Sequence, residues 1–233
     1  LYAKVRTLEQ YNACKEMGIK YILSEEEDLK GLDIIYMNPR NAMVSPGMSE
    51  DGLISSVYKN VFNAYSVHFM HKMGVETVGL SVELSKVEIE NLINNYKTMF
   101  KKDPNLMMMV YGHYEVMLMK HCLINKFYGY QRLNCKECLN NQYYLKDKLD
   151  YLFPLVRGHK CNLKLLNSMK LHLIKYLNDI KEMGVNNLLL DFTIEDEKEV
   201  KFIIDNYIAS LEGRIFIRDI DNATYGHYKE EIE

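Results

Sequence analysis

One junction recurs three times along the chain. A stretch with apolar residues at helical spacing ends in Met-Gly and runs straight into a short block of aliphatic and β-branched residues. Lys15-Glu16-Met17-Gly18 precedes residues 19–23, His71-Lys72-Met73-Gly74 precedes 75–80, and Lys181-Glu182-Met183-Gly184 precedes 185–192. Each predicts a helix end feeding a strand, with the glycine taking the left-handed turn and the methionine packed beneath the last turn. Helix starts are equally marked. Thr7-Leu8-Glu9-Gln10 and Ser85-Lys86-Val87-Glu88 are capping boxes, each with a hydroxyl three residues ahead of a Glu or Gln. Repeated helix-to-strand junctions imply parallel strands, and the pattern predicts eight of them, at residues 1–5, 20–23, 33–37, 53–58, 77–80, 106–111, 187–192 and 214–217. Continuous apolar runs such as Leu106-Met107-Met108-Met109-Val110 suit strands covered on both faces. The expected fold class is therefore α/β, a TIM-barrel-like (β/α) barrel. Residues 24–60 are rich in turn formers and poor in helix, so that quarter of the ring is expected to be incomplete.

Composition narrows the class without changing it. The 233 residues are 48% hydrophobic, with 29 basic against 32 acidic side chains and 4 prolines, which excludes a disordered, collagenous or coiled-coil chain. One domain over residues 1–233 is expected. The net charge of −3 gives the whole chain no strong footprint for nucleic acid, although a local basic groove is compatible with it. No run of 18 apolar residues occurs, and the chain reads as cytoplasmic. Residue 1 is Leu, which suggests a segment of a longer chain.

A segment of different character, about residues 111–168, is inserted after the sixth strand, where a barrel carries its chemistry. Tyr143 to Asp147 and Tyr151 to Val156 around Lys148-Leu149-Asp150 read as a hairpin. Four of the five cysteines lie here, as C-x12-C-x2-C-x22-C: Cys122, Cys135, Cys138 and Cys161. Four thiols so close in a cytosolic chain favour a shared metal ion or cluster over disulfides. Spacing leaves structural zinc and an iron–sulfur cluster both open, beside a redox pair at Cys135 and Cys138 or inert buried thiols. His113-Tyr114-Glu115 ahead of Cys135-Lys136-Glu137-Cys138 resembles a zinc-deaminase pattern, but Asn134 stands in its Pro position and two cysteines are left without a role. Cys14 and Met107 to Met109 read as core.

Candidate proton carriers follow from position on the strands. Glu115 lies just past the sixth strand, Glu83 follows the fifth, Asp191 ends the seventh and His227 follows the last, with His113 beside Glu115. For each, capping, ion pairing or a solvated position is the structural alternative. Lys136, Lys146, Lys148, Lys160 and Lys164 make the insertion locally basic, which suits a phosphate-bearing RNA or simply a solvated face.

Several blocks together resemble a known family. Asn60-Val61-Phe62-Asn63-Ala64-Tyr65, Leu80-Ser81-Val82-Glu83-Leu84-Ser85, Gly112-His113-Tyr114-Glu115-Val116-Met117, Tyr144-Leu145-Lys146-Asp147, Leu166-Asn167-Ser168, Asp191-Phe192-Thr193 and Thr224-Tyr225-Gly226-His227-Tyr228 follow the order seen in peptidase family U32, the collagenase-like proteases. The chain looks most like the second barrel copy of a long member, in which a collagenase-like insert separates two copies. The first copy and that insert are then its expected partners. Val82, Leu123 and Lys229-Glu230-Glu231 depart from the family's usual residues. The resemblance implies two different activities: a collagenase-like, metal-dependent proteolysis, and an iron–sulfur-dependent, oxygen-independent hydroxylation of RNA or of ubiquinone precursors, in some branches using prephenate. No Ser/His or Cys/His pairing or catalytic zinc motif is visible, whereas four thiolates for a 4Fe–4S cluster are present. The expectation is therefore a hydroxylase-type enzyme with the cluster on Cys122, Cys135, Cys138 and Cys161. A protease and a non-catalytic RNA-binding copy are the alternatives, and zinc is the alternative metal.

Overall fold

A computed structural model describes residues 1–37, 47–49, 52–129, 137–158, 161–214 and 220–229. Two compact units emerge. The first combines Leu1–Gly112 with Leu171–Glu233, and the second is the single excursion His113–Lys170 between them.

The first unit alternates strands and helices: β1 (Tyr2–Lys4), α1 (Leu8–Glu16), β2 (Tyr21–Ser24), β3 (Ile35–Tyr36), β4 (Gly47–Ser49), β5 (Gly52–Ile54), α2 (Ala64–Lys72), β6 (Val75–Gly79), α3 (Lys86–Phe100) and β7 (Leu106–Gly112). The second unit supplies β8 (Glu115–Met119), α4 (Leu123–Tyr128), α5 (Glu137–Asn140), β9 (Tyr143–Lys146), β10 (Leu152–Arg157) and β11 (Leu163–Leu166). The chain then returns through β12 (Lys170–His172), α6 (Leu177–Met183), β13 (Asn187–Asp191), α7 (Glu197–Leu211) and β14 (Ala223–Thr224).

Seven strands run parallel in the order β3-β2-β1-β13-β7-β6-β5, with β4 antiparallel on the β5 edge. The first strand thus lies beside the last long one. The sheet curls into a partial barrel whose break falls between β3 and β5, in the quarter with too little crossover helix. All seven residues of β7 are buried, as the apolar run requires. The capping boxes form as read: Thr7 Oγ1 accepts from the Gln10 N–H at 3.2 Å and Ser85 Oγ from the Glu88 N–H at 3.3 Å, while each third-position side chain returns a bond to its cap. Gly18, Gly74 and Gly184 take positive φ at the three junctions. The methionine in that motif is less uniform than expected, because Met73 is 49% exposed rather than packed under its helix.

Other boundaries shift. The fourth strand stops at Ile54, since the Ser55 hydroxyl accepts from Gly79 N–H and the Ser56 hydroxyl from Tyr58 N–H, turning residues Val57–Lys59 into a 3₁₀ segment. The eighth predicted strand falls mostly on residues outside the described set. In the second unit the expected hairpin, β9 with β10, is half of a four-stranded antiparallel sheet ordered β8-β11-β10-β9. Its turn is set by Asp147, whose carboxylate accepts from the N–H groups of Leu149 and Tyr151 at 2.8 and 2.9 Å.

Candidate functional site

Parallel strands deliver their last residues to one end of the sheet, so the chemistry of the first unit is decided there. Lys4 and Asp191 end β1 and β13 and are register partners, which puts both side chains on one face. A bulge at Val110 keeps Met109 on that face while turning Tyr111 to the other. The Val110 carbonyl released from regular pairing accepts from Leu173 N–H at 2.9 Å and from the Tyr207 hydroxyl at 2.7 Å. Asp191 is only 2% exposed. Its Oδ2 accepts from Lys4 Nζ at 3.5 Å and from Tyr58 Oη at 3.3 Å, and Tyr58 Oη also meets Met109 Sδ at 3.9 Å. Lys4 Nζ is 3.2 Å from the Glu25 carboxylate, just past β2, and lies 5.3 Å from the centre of the Tyr58 ring. Lys4, Glu25, Tyr58 and Asp191 thus form one cation held between two carboxylates under a phenol. Burial lowers the pKa of neighbouring Lys59, although the charge of Glu25 works the other way.

Behind the sheet a second polar set fixes this end. Tyr111 Oη donates to Glu195 Oε1 at 3.2 Å, and Glu195 Oε2 accepts from the N–H groups of Thr193 and Ile194 at 2.7 and 3.1 Å. Burial, with Glu195 beside it, raises the Tyr111 phenol well above its usual range, so its proton stays in place for Glu195. Gln10, the third residue of α1 and the partner of Thr7 in the first capping box, ties the Glu195 carbonyl at 2.9 Å to the start of α1. These bonds hold the loop that follows Asp191.

Of the carboxylates singled out by sequence, only Asp191 belongs to this cluster. Glu83 is exposed in the turn before α3, its N–H donating to Ser81 Oγ at 3.4 Å. His227 is exposed on the 3₁₀ segment Gly226–Lys229 near Glu88. The Glu88 carboxyl is held below its usual range by the Ser85 backbone and hydroxyl, with His227 adding to the effect. Glu115 opens β8 instead of lying on a bare loop, and Lys164 on β11 ion-pairs with it. His113 is buried, with Nδ1 2.7 Å from the Asn167 carbonyl. Lys4, Glu25 and Tyr58 were not anticipated; the available signal was a lone cation closing the apolar strand Leu1-Tyr2-Ala3-Lys4-Val5.

In the second unit, Cys122 is the N-cap of α4, its sulfur accepting from Asn125 N–H at 3.3 Å. It forms a small core with Ile124 and Leu163, against which Met119, Cys138, Tyr143 and Leu155 pack. Cys138 lies on α5, and Cys161 takes φ +60° in the connection from β10 to β11. Cys14, Cys122 and Cys161 are free thiols, and Cys135, Lys136 and Lys160 lie outside the described residues. Among the described residues, no three His, Cys, Asp or Glu side chains gather into a metal-holding group. The donor chemistry nonetheless suits a thiophilic centre: the sulfurs of Cys122 and Cys138 belong to side chains packed in one small core, and a thiolate is a soft ligand.

No helix among the described residues is long and apolar enough to cross a membrane. The family model for peptidase family U32 matches residues 42–218, from the broken quarter of the ring through the whole second unit and past the end of α7. No curated protein and no solved structure matches the chain. With most of its length under that match, the chain belongs to peptidase family U32.

Proposed function

We propose that this U32 protein is an iron–sulfur-dependent, oxygen-independent hydroxylase-type enzyme acting on RNA, built on a TIM-type barrel and working in the cytoplasm as one copy within a longer chain. The observation that carries this reading is the pair Cys122 and Cys138, two cysteines packed in one small core of a unit that also bears Cys161 and Cys135. These four residues would hold a 4Fe–4S cluster, which when bound supplies one-electron chemistry. The chain's own residues handle protons and position. Asp191, ion-paired with Lys4 and accepting from the Tyr58 hydroxyl, would serve as the acceptor for a substrate proton, while Glu25 holds the lysine in place. Glu83, Glu115 and His227 are further candidates for proton transfer at the rims of their own units.

The protease reading has less to draw on. The buried serines near the strand ends are committed to backbone: Ser24 Oγ donates to the Val5 carbonyl at 2.8 Å, and the Ser55 and Ser56 hydroxyls accept backbone N–H groups. A hydroxyl fixed in this way is not poised for attack.

Metal analysis of anaerobically prepared protein tests the proposal. Near-stoichiometric iron and sulfide are expected, with absorbance at about 400 nm that disappears in Cys138→Ser and Cys122→Ser variants. A colourless protein holding stoichiometric zinc on the same cysteines would overturn it.

A further inference from the structure

We infer that the second unit binds single-stranded RNA on one face of its sheet, beyond the cysteine core; this inference rests on the proposed action on RNA and assigns it a surface. The charge partition points there first. Residues 113–170 contain ten Lys and Arg against four Asp and Glu, a net of +6 within a chain totalling −3, so the other unit is at −9. A polyanion approaching the protein is drawn to the second unit and repelled by the first.

The sheet supplies the rest. Register partners share a face, and Tyr143 with Leu155, then Leu145 with Phe153, step along one side of the β9–β10 hairpin. Tyr151, opposite Asp147, continues that row to the hairpin tip. Tyr128 on α4 adjoins the row through Tyr143, ring centres 6.0 Å apart, and Phe127 packs edge-on to Tyr128 at 5.0 Å. The aromatic ends of this row are open: Phe127 is 84% exposed, and Tyr128 and Tyr151 are each 51% exposed. Three exposed aromatics, two on α4 and one at the hairpin tip, at the ends of one row on a basic unit form the kind of apolar patch that marks an interaction site. Alternate residues on a strand are spaced about 6.6 Å apart, close to the base-to-base step of an extended single strand, so unstacked bases can rest on successive rings. Lys126 and Lys148, both exposed, flank the two ends and face phosphate. A duplex has its bases stacked inside and offers such rings nothing, so the surface selects single strands.

The test is fluorescence anisotropy on the whole chain with a labelled single-stranded RNA of about 12 nucleotides, beside the same sequence annealed to its complement. Binding is expected to weaken about tenfold in each of Phe127→Ala and Tyr151→Ala. Lys126→Ala and Lys148→Ala should each lower the slope of log affinity against log salt by about one. All four positions are exposed, and unchanged thermal unfolding will show that the variants fold. Equal affinity for duplex, or unchanged binding in both aromatic variants, overturns the inference. So does RNA-independent self-association that Tyr151→Ala abolishes, since the row would then be a protein interface. The outcome is separable from the metal test: a cluster-bearing protein whose RNA binding is unchanged in both aromatic variants refutes this surface alone, and a zinc protein that binds RNA through it refutes the hydroxylase alone.

Discussion

Gly112 is where one missing atom decides the site. It pairs with Asp191 across β7 and β13, with φ +127°, and a Cβ there would lie 2.1 Å from the Asp191 carbonyl oxygen. The backbone would have to move at the residue whose carboxylate holds Lys4. Gly112→Ala is therefore expected to cost about 4 kcal/mol, adding backbone strain to overpacking. Gly18→Ala, at φ +75° with nothing within 4 Å, should cost about 1 kcal/mol. Urea unfolding of the two variants measures the contrast, and equal costs would show that the close approach carries no weight. Cys14 offers a second test at this scale. Burial pushes its thiol up to about 12, so at pH 8 it stays protonated, and iodoacetamide should leave it unmodified in the native protein while it reacts in urea. Because the folded value lies above the unfolded one, its contribution to stability is fully present below the unfolded value, about 9. It is lost as pH rises from there towards 12. Cys14→Ala should flatten that alkaline decline.

At the scale of the element, the first turn of α3 combines a cap with a titration. Ser85→Ala removes the hydroxyl that accepts from Glu88 N–H and meets its carboxylate at 2.8 Å, and it should destabilise the protein by about 1 kcal/mol. Glu88 has a depressed folded pKa, so its contribution is present above the ordinary carboxylate range and lost as pH falls through the folded value. The penalty of Glu88→Gln, followed by thermal unfolding from neutral to acid pH, should therefore shrink on acidification. Caps of this kind were legible in the sequence because both partners sit within four residues. The buried strands were legible for a similar reason, being unbroken apolar runs. What escaped was set by distant chain. Ser55 and Ser56 look compatible with a continuing strand until their hydroxyls find Gly79 and Tyr58. The ion pair of Glu115 is not legible beside it because its partner, Lys164, is 49 residues away, and the strands carrying them show no clean alternation. The cation of the candidate site was harder still, since Lys4 and Asp191 are 187 residues apart and nothing local to either marks the other.

For the molecule as a whole, the two units differ in what holds them together. The first buries seven parallel strands and contains fully buried aromatic residues such as Tyr96, Tyr111, Tyr207 and Phe192. The second, among its described residues, has a small cluster of Cys122, Ile124 and Leu163 with four partly buried neighbours. A cluster that small offsets little of the entropy of ordering a four-stranded sheet, and Cys122 in it and Cys138 against it are two of the thiols proposed as ligands. In the proposed state, ligand binding supplies much of the folding free energy of this unit, as it does in small metal-stapled domains. Stripping the metal from anaerobically prepared protein with chelator and oxidant should therefore act unevenly. Amide exchange should accelerate by orders of magnitude across β8 to β11, because local opening there no longer has to expel a bound centre. Amides of β1, β7 and β13 should exchange at nearly the native rate, since their protection comes from the buried sheet. Mass-spectrometric hydrogen exchange on the intact chain resolves the two regions in one experiment. Uniform acceleration would mean that the metal stabilises the entire chain, and no acceleration in the second unit would mean that its sheet stands without the cysteines holding anything.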